Sequence, residues 1–189
     1  MGGEMVPEIK HDAEHRMAGA IDALHRELAG IRTGRAAPGL VERLSVDYYG
    51  TATPLNQIAG VSAPEARLLV IQPWDRSSLG AIERAIQKSD LGLTPNNDGV
   101  VIRLAIPSLT EERRKALVKV VRGKVEESKV AIRNVRRDAV DHLKGLLKDK
   151  EIGEDDERRA QTDIDSLTKR FTDDADHIGQ AKEAEILEV

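Results

Sequence analysis

Hydrophobic positions recur every three or four residues along a proline-free stretch that runs from Leu109 to about Lys150. At about 100° per residue this spacing places them in one sector of a helix. The pattern predicts one long helix that packs this sector against other helices. The sector contains Leu117, Val121, Val125, Ser128, Ile132, Val135, Ala139, Leu143 and Leu146.

Two further amphipathic helices are predicted at the two ends of the chain. A heptad-like seam from Met17 to Ile31 favours a first helix from about Pro7 to the neighbourhood of Thr33. The acidic run that starts at Glu154 suits the N-terminus of a last helix, because carboxylates stabilise that end of a helix dipole. The apolar side of this last helix contains Ala160, Ile164, Leu167, Phe171 and Ile178.

Between the first and the long helix the periodicity becomes strand-like. Prolines and glycines separate short segments. The pattern predicts strands over residues 43–49, 67–72 and 100–106 and a short helix over residues 79–90.

These elements predict an α+β protein. Three helices with one apolar face each are expected to pack together, so residues 1–34 and 107–189 should form a three-helix bundle. Residues 35–106 should form a small inserted β/α/β domain. The chain passes between the two domains twice, and we call these two connecting segments the crossings. We expect the crossings to act as a hinge, because they contain the helix-breaking residues Gly34, Pro38, Gly39 and Pro107. Gly179 is expected to weaken the end of the last helix, by ~1 kcal/mol relative to alanine.

Charge is unevenly distributed along the chain. Residues 111–137 hold ten Lys or Arg against four Asp or Glu, a local charge of +6. Residues 151–189 hold five against thirteen, a local charge of −8. The overall charge of −4 therefore says little about nucleic-acid binding.

The basic residues of the long helix lie in a sector of their own, interrupted only by Glu126. This basic stripe, on a stiff helix, is typical of a surface that lies along a phosphate backbone. Only Asp138 lies close in sequence to neutralise the arginines at its end. The alternative is a solvated face that the acidic last helix balances. The basic stripe consists of Lys115, Lys119, Arg122, Lys129, Arg133 and Arg136.

Composition excludes several classes of function. Four aromatic residues, Tyr48, Tyr49, Trp74 and Phe171, are too few for a platform on which single-stranded bases stack. We expect Trp74 in a core or domain interface and the two tyrosines on opposite faces of a strand. The absence of cysteine excludes thiol chemistry and suits a cytoplasmic protein. No apolar run approaches the ~20 residues of a membrane span, and the first ten residues lack a signal-like apolar segment.

Catalytic motifs are weak. His11, Glu14 and His15 match the spacing of an inverted zinc-peptidase pattern, but no companion catalytic domain surrounds them. The zinc-hydrolase alternative would hold only if the purified protein contained stoichiometric metal. We expect the protein to bind neither a metal nor another cofactor. Gly34 and Gly39 have the spacing of a phosphate-binding loop, but Leu40 follows where that loop needs lysine. We expect no catalytic residues and a protein that is not an enzyme.

Six groups of short strings are spread over essentially the whole chain. They are IRTGRAAP (31–38), YYGT with TPL (48–51, 53–55), SDLGL with PN (89–93, 95–96), LTEERRK (109–115), RNVRRD (133–138) and LKDKEI with EDD (147–152, 154–156). In this order and at these spacings, the strings closely resemble the bacterial ribosome recycling factor family.

The resemblance implies a monomeric, L-shaped protein of tRNA-like outline that binds the post-termination ribosome. Family members act with elongation factor G and GTP to split the ribosome into subunits, so that mRNA and deacylated tRNA are released. The bundle would contact large-subunit rRNA near the intersubunit bridges. The smaller domain would face the small subunit and elongation factor G.

Carried over onto this sequence, the rRNA-contacting arginines of the family fall on Arg32 and Arg35, on Arg113 or Arg114, and on Arg133 and Arg136 of the basic stripe. We expect the bundle to bring the end of the first helix beside the long helix. The runner-up is a helical adaptor that binds proteins through its charged surface. The predicted rRNA-binding set is Arg32, Arg35, Arg113, Arg114, Lys119, Arg122, Lys129, Arg133 and Arg136.

Overall fold

The structure is a computed structural model that describes residues 2–188, so the terminal residues 1 and 189 of the predicted bundle lie outside it. Long helices are combined with short strands, which confirms the α+β class. The elements are α1 (Gly2–Ala29), β1 (Ser45–Tyr48), β2 (Thr51–Pro54), β3 (Ala59–Glu65), β4 (Leu68–Pro73), α2 (Leu79–Lys88), β5 (Pro95–Asn97), β6 (Ile102–Ala105), α3 (Glu111–Lys148) and α4 (Glu154–Leu187).

The chain divides into two compact units. The first comprises the described residues up to 31 and from 115 onward, and it contains α1, α4 and most of α3. The second comprises residues 32–114 and contains the strands and α2. The predicted insert, residues 35–106, lies wholly within the second unit.

In the first unit, each of the three helices buries one face. The predicted apolar sector of α3 is confirmed, because its residues are buried except for Val125, which is half-buried. On α4, Leu167 and Ile178 are half-buried, and the other three predicted positions are buried. Ile132, Leu143 and Ile164 lie fully inside this core.

Gly179 lies where α4 packs tightly against α3. A Cβ atom at this position would lie 2.5 Å from Cγ2 of Val125, which is far inside van der Waals contact. Gly179 is buried, and α4 continues beyond it to Leu187. The structure therefore adds a packing role that the sequence did not predict: the missing side chain is what allows the two helices to pack here.

The first helix differs from its predicted bounds at both ends. It begins at Gly2, so that Pro7 lies inside it, and it ends at Ala29 instead of near Thr33. Gly30 follows immediately, and glycine loses more conformational entropy in a helix than any other residue. The apolar seam continues to Ile31, which is why periodicity alone extended the helix too far.

The second unit contains two antiparallel sheets. β1 and β2 form a hairpin, and the other four strands form a sheet of order β3-β4-β6-β5. Ile82 and Ile86 of α2 are fully buried in the same core as residues of both sheets, such as Val46 and Leu69. The helix thus covers the apolar side of the strands.

The predicted strands correspond to β1, β4 and β6, whereas β2, β3 and β5 were not predicted. β3 contains Gly60 and Pro64, and β5 reads Pro95-Asn96-Asn97. These residue types are depleted in strands, and proline is confined to strand edges. Both strands lie at the edges of the sheet, where few ladder hydrogen bonds are lost.

The aromatic residues of the second unit are more exposed than expected. Trp74 is 71% exposed, so its assignment to a core is wrong. Tyr49 lies just beyond β1 with φ of 51° and is 75% exposed. Its ring packs edge-on against Tyr48 with centroids 4.6 Å apart, so the two rings do not point to opposite faces. The Tyr49 hydroxyl lies 3.0 Å from Asp75 Oδ2, to which it donates a hydrogen bond.

Candidate nucleic-acid interface

Three cations of the basic stripe face the acidic helix α4. They follow one another at intervals of seven residues, the spacing that keeps side chains on one edge of a packed helix. Each pairs with a different carboxylate of α4, and we call this row the ion-pair ladder. Its members are Arg122 Nε with Glu183 Oε1 (2.7 Å), Lys129 Nζ with Asp176 Oδ1 (3.1 Å) and Arg136 Nε with Asp165 Oδ1 (2.7 Å).

Asp138, the carboxylate that lies close in sequence to the arginines at the end of the basic stripe, does not pair with them in the described residues. Asp138 instead pairs with Arg16 of α1, with Nη2 and Oδ2 3.0 Å apart. Arg133 pairs along its own helix with Glu126, with Nη1 and Oε1 3.2 Å apart. The carboxylates of the ladder are 29 to 61 residues away in sequence and become neighbours only when α4 packs on α3.

A second group of cations on α3 faces away from the bundle. Arg137 follows Lys119 by 18 residues, which is five helical turns, so the two side chains point in the same direction. Both are exposed, and neither forms an ion pair within the part of the chain that the structure describes. The Arg133 side chain lies within 40° of this direction, since each residue turns the helix by about 100°, and is 50% exposed. We call Lys119, Arg133 and Arg137 the outward face.

Sequence reasoning left Arg137 out of the predicted rRNA-binding set. The signal that could have found it is its exact five-turn spacing from Lys119, which is visible in the sequence. The structure thus separates the predicted α3 residues into two edges. The outward face is exposed and only its Arg133 forms an ion pair in the described residues, with Glu126 of the same helix, whereas all three ladder cations are neutralised by α4.

The cations of the ion-pair ladder differ in their solvent exposure. The Arg122 side chain is 72% exposed, that of Arg136 is 38% exposed and that of Lys129 is 20% exposed. Ion pairs at a surface typically contribute only about 0–1 kcal/mol. A phosphate presented at the right place can therefore compete for these cations.

Four predicted rRNA-binding residues lie in the second unit. Arg35 and Arg113 are exposed. Arg32 is half-buried, and its Nη1 donates a hydrogen bond to the carbonyl of Leu91 at 3.0 Å. Arg114 is half-buried, and its Nε is buried without a hydrogen-bond partner in the described residues. The fold therefore restrains Arg32, and it leaves Arg35 and Arg113 more accessible than the other two.

All four predicted hinge residues also lie in the second unit. Gly34 has φ of 78°, a conformation that favours glycine. A Cβ atom there would lie 3.4 Å from Cγ of Leu109, so the two crossings approach each other at this point. The backbone N–H groups of Ala36 and Ile106 donate to the carbonyls of Ala66 and Arg67, at 2.7 and 2.8 Å.

The residues of the zinc-like pattern do not converge on a site. Glu14 accepts a hydrogen bond from Arg170 of α4 at 2.9 Å, and His11 and His15 are exposed. Across the residues that the structure describes, no group of three or more potential metal ligands lies together. None of the described helices combines the length and the apolar character that a membrane span needs.

Comparison with known proteins places this architecture. A family model described as "Ribosome recycling factor" matches residues 24–187. The ribosome-recycling factor of Thermomicrobium roseum is 59% identical over 185 residues, which are 98% of this chain and 100% of that protein. That of Halalkalibacterium halodurans is 58% identical over the same coverage.

Solved structures agree with the sequence comparison. The solution structure of a ribosome recycling factor superposes with a TM-score of 0.77 at 40% identity, covering 97% of this chain and 98% of that one. A second match comes from models for the T. thermophilus ribosome recycling factor and the E. coli elongation factor G bound to the E. coli post-termination complex. It superposes with a TM-score of 0.67 at 49% identity over 97% of this chain and 99% of that one.

Proposed function

The chain belongs to the ribosome recycling factor family, and we propose that it splits the post-termination ribosome into subunits together with elongation factor G and GTP. Release of mRNA and deacylated tRNA would follow. The observation that carries the proposal is the match over nearly the whole chain to ribosome-recycling factors. It is supported by the likeness to a factor bound with elongation factor G to a post-termination complex.

Binding to large-subunit rRNA would use the basic residues of α3. The outward face presents cations along about five turns of a stiff helix, and such a row can follow a phosphate backbone. Each arginine can form two parallel hydrogen bonds to one phosphate. Neutralised phosphates release counterions, so affinity should fall steeply with salt. We propose that Arg32, Arg35, Arg113, Arg114 and the ladder cations also contact rRNA.

The protein would act as a monomeric binding factor in the cytoplasm and would catalyse no reaction itself. Helical RNA is recognised mainly by its shape and backbone, which suits a rigid helix with cationic side chains. The energy for splitting would come from GTP on elongation factor G. The residues of the second unit would face that partner and the small subunit.

Motion between the two units would convert the action of the GTPase into separation of the subunits. We propose that the crossings, which include Gly34, Pro38, Gly39 and Pro107, act as a hinge. Spin labels on one exposed residue of each unit would report the distance between them. We expect the distribution to change on ribosome binding, and an identical distribution in the free and bound protein would contradict a hinge.

The proposed function is tested by sedimentation of post-termination ribosomes with this protein, elongation factor G and GTP. We expect wild type to release subunits. Arg137→Ala should bind ribosomes more weakly, because the outward face loses a phosphate contact, and Arg136→Ala is run beside it as a ladder variant. Arg159→Ala is the matched control, since Arg159 of α4 is exposed and forms no ion pair within the described residues.

The result with wild type decides between the candidate functions. Failure to release subunits, under conditions in which elongation factor G is active, would favour the adaptor alternative. Equal ribosome binding by Arg137→Ala and wild type would remove the outward face from the interface and leave the family assignment intact. Equal weakening by Arg137→Ala and Arg159→Ala would show a general charge effect.

A further inference from the structure

The acidic helix α4 neutralises one edge of the cationic helix and forms no ion pair with the adjacent edge within the described residues. The three ladder cations are in contact with carboxylates at 2.7 to 3.1 Å. Lys119 and Arg137 point away from α4 and form no ion pair within residues 2–188. The boundary between neutralised and free cations therefore runs along α3.

Carboxylates on another edge of α4 do not take part in this arrangement. Asp156 and Asp174 are exposed and form no ion pair in the described part of the chain. They are 18 residues apart, so they point in the same direction. They lie roughly half a helical turn from Asp165 and Asp176. The acidic charge of α4 is thus divided between residues that cover the ladder cations and residues that do not.

A phosphate must displace a carboxylate before it can bind a ladder cation. A surface ion pair shifts an equilibrium constant by about fivefold or less, so the displacement is possible but costs affinity at each position. A flexible RNA strand has no fixed array of phosphates, and it gains little by breaking the pairs one by one. A folded RNA surface that already binds the outward face presents its next phosphates in fixed positions, so the displacement becomes intramolecular.

We propose that Asp165, Asp176 and Glu183 shield the ladder cations from RNA, so that these cations bind phosphate only when a folded RNA surface fits the helix. Specificity is a difference between affinities, and a penalty on the wrong ligand increases it. The shield would lower binding to unstructured RNA more than binding to the ribosome. This inference rests on the proposed binding of RNA by α3.

The test compares two variants with the same change in net charge. The shield variant is Asp165→Asn with Asp176→Asn, and the control variant is Asp156→Asn with Asp174→Asn. Binding of each variant and of wild type to poly(U) is measured by fluorescence anisotropy as salt is raised from 50 to 200 mM.

We expect the shield variant to bind poly(U) about tenfold more tightly than the control variant at the lowest salt. Two additional phosphate contacts should steepen its plot of log affinity against log salt by about 1.4, since each contact to a single strand contributes about 0.7. Equal affinities and slopes for the two variants would overturn the shield. So would a failure of all three proteins to bind poly(U) at 50 mM salt.

Folding is checked by circular dichroism. If the shield variant loses helix, Glu183→Gln is compared with Asp174→Asn, because each removes one charge and only Glu183 covers a ladder cation. The readout is independent of ribosome splitting by wild type. Loss of splitting would contradict the proposed function, whereas identical poly(U) binding would contradict the shield alone.

Discussion

Asp98 organises the turn between β5 and β6 through a carboxylate that accepts several hydrogen bonds. Its Oδ1 accepts from the backbone N–H groups of Val100 at 2.9 Å and Val101 at 2.8 Å. Its Oδ2 pairs with the guanidinium of Arg103 on β6. The hydrogen bond from Val101, followed by that from Arg103, holds the pKa of Asp98 well below its ordinary value of 3.8.

A lowered pKa in the folded state predicts how the contribution of Asp98 to stability depends on pH. The contribution is fully present above the pKa of the unfolded chain, 3.8, and is lost as pH falls toward the lower folded pKa. Asp98→Asn should unfold at lower urea concentration than wild type at pH 7, because Arg103 loses its charged partner. The difference in unfolding midpoint between wild type and Asp98→Asn should shrink steadily below about pH 4. A difference that stays constant down to pH 2 would contradict this.

At the scale of elements, the contact between α3 and α4 depends on a residue with no side chain. Gly179→Ala should lower the free energy of unfolding by about 1–3 kcal/mol, because its Cβ would collide with Val125. The collision is costly because valine is held in one rotamer in a helix. The cost of this collision should outweigh the gain of ~1 kcal/mol that alanine brings in helix propensity. Urea unfolding measures the change.

Gly145 provides the matched control for this substitution. A Cβ atom there would meet nothing within 4 Å, so Gly145→Ala should stabilise the protein by roughly 0.5–1 kcal/mol. Adding Val125→Ala to Gly179→Ala should relieve the collision. If both glycine variants were stabilised, Gly179 would not be a packing position.

Periodicity predicted the helices because their apolar faces are long. About eight turns of α3 repeat the same signal, so Leu117 and Leu146 could be assigned to one face from sequence. The edge strands could not be found in this way, since β5 has only three residues and none is β-branched. A short strand depends on its partner in the sheet, and its own sequence does not show that partner.

The candidate interface was predictable only in part for a related reason. The direction of each α3 side chain follows from its sequence number, so the cations of the basic stripe could be placed on one side. The carboxylate partners of Arg122, Lys129 and Arg136 could not be predicted in this way, because these carboxylates lie on another helix. The acidic surplus of the last helix was visible, but not which of its carboxylates would contact α3.

At the scale of the whole molecule, a protein of net charge −4 is proposed to bind a polyanion. The local charge around the binding surface matters more than the net charge, because interactions between charges more than about 10 Å apart are largely screened at 0.1 M salt. Binding should therefore depend on which cations are removed and not on net charge alone.

Two double variants with equal loss of positive charge separate these possibilities. Lys119→Ala with Arg137→Ala removes two outward cations, and Arg26→Ala with Arg159→Ala removes two exposed arginines from α1 and α4. Ribosome affinity is measured as a function of salt concentration. For the first variant, the plot of log affinity against log salt should be shallower by about 2, at roughly one per lost phosphate contact. The second should keep the wild-type slope. Equal decreases would mean that ribosome binding responds to total charge, and the outward face would then have no special part in it.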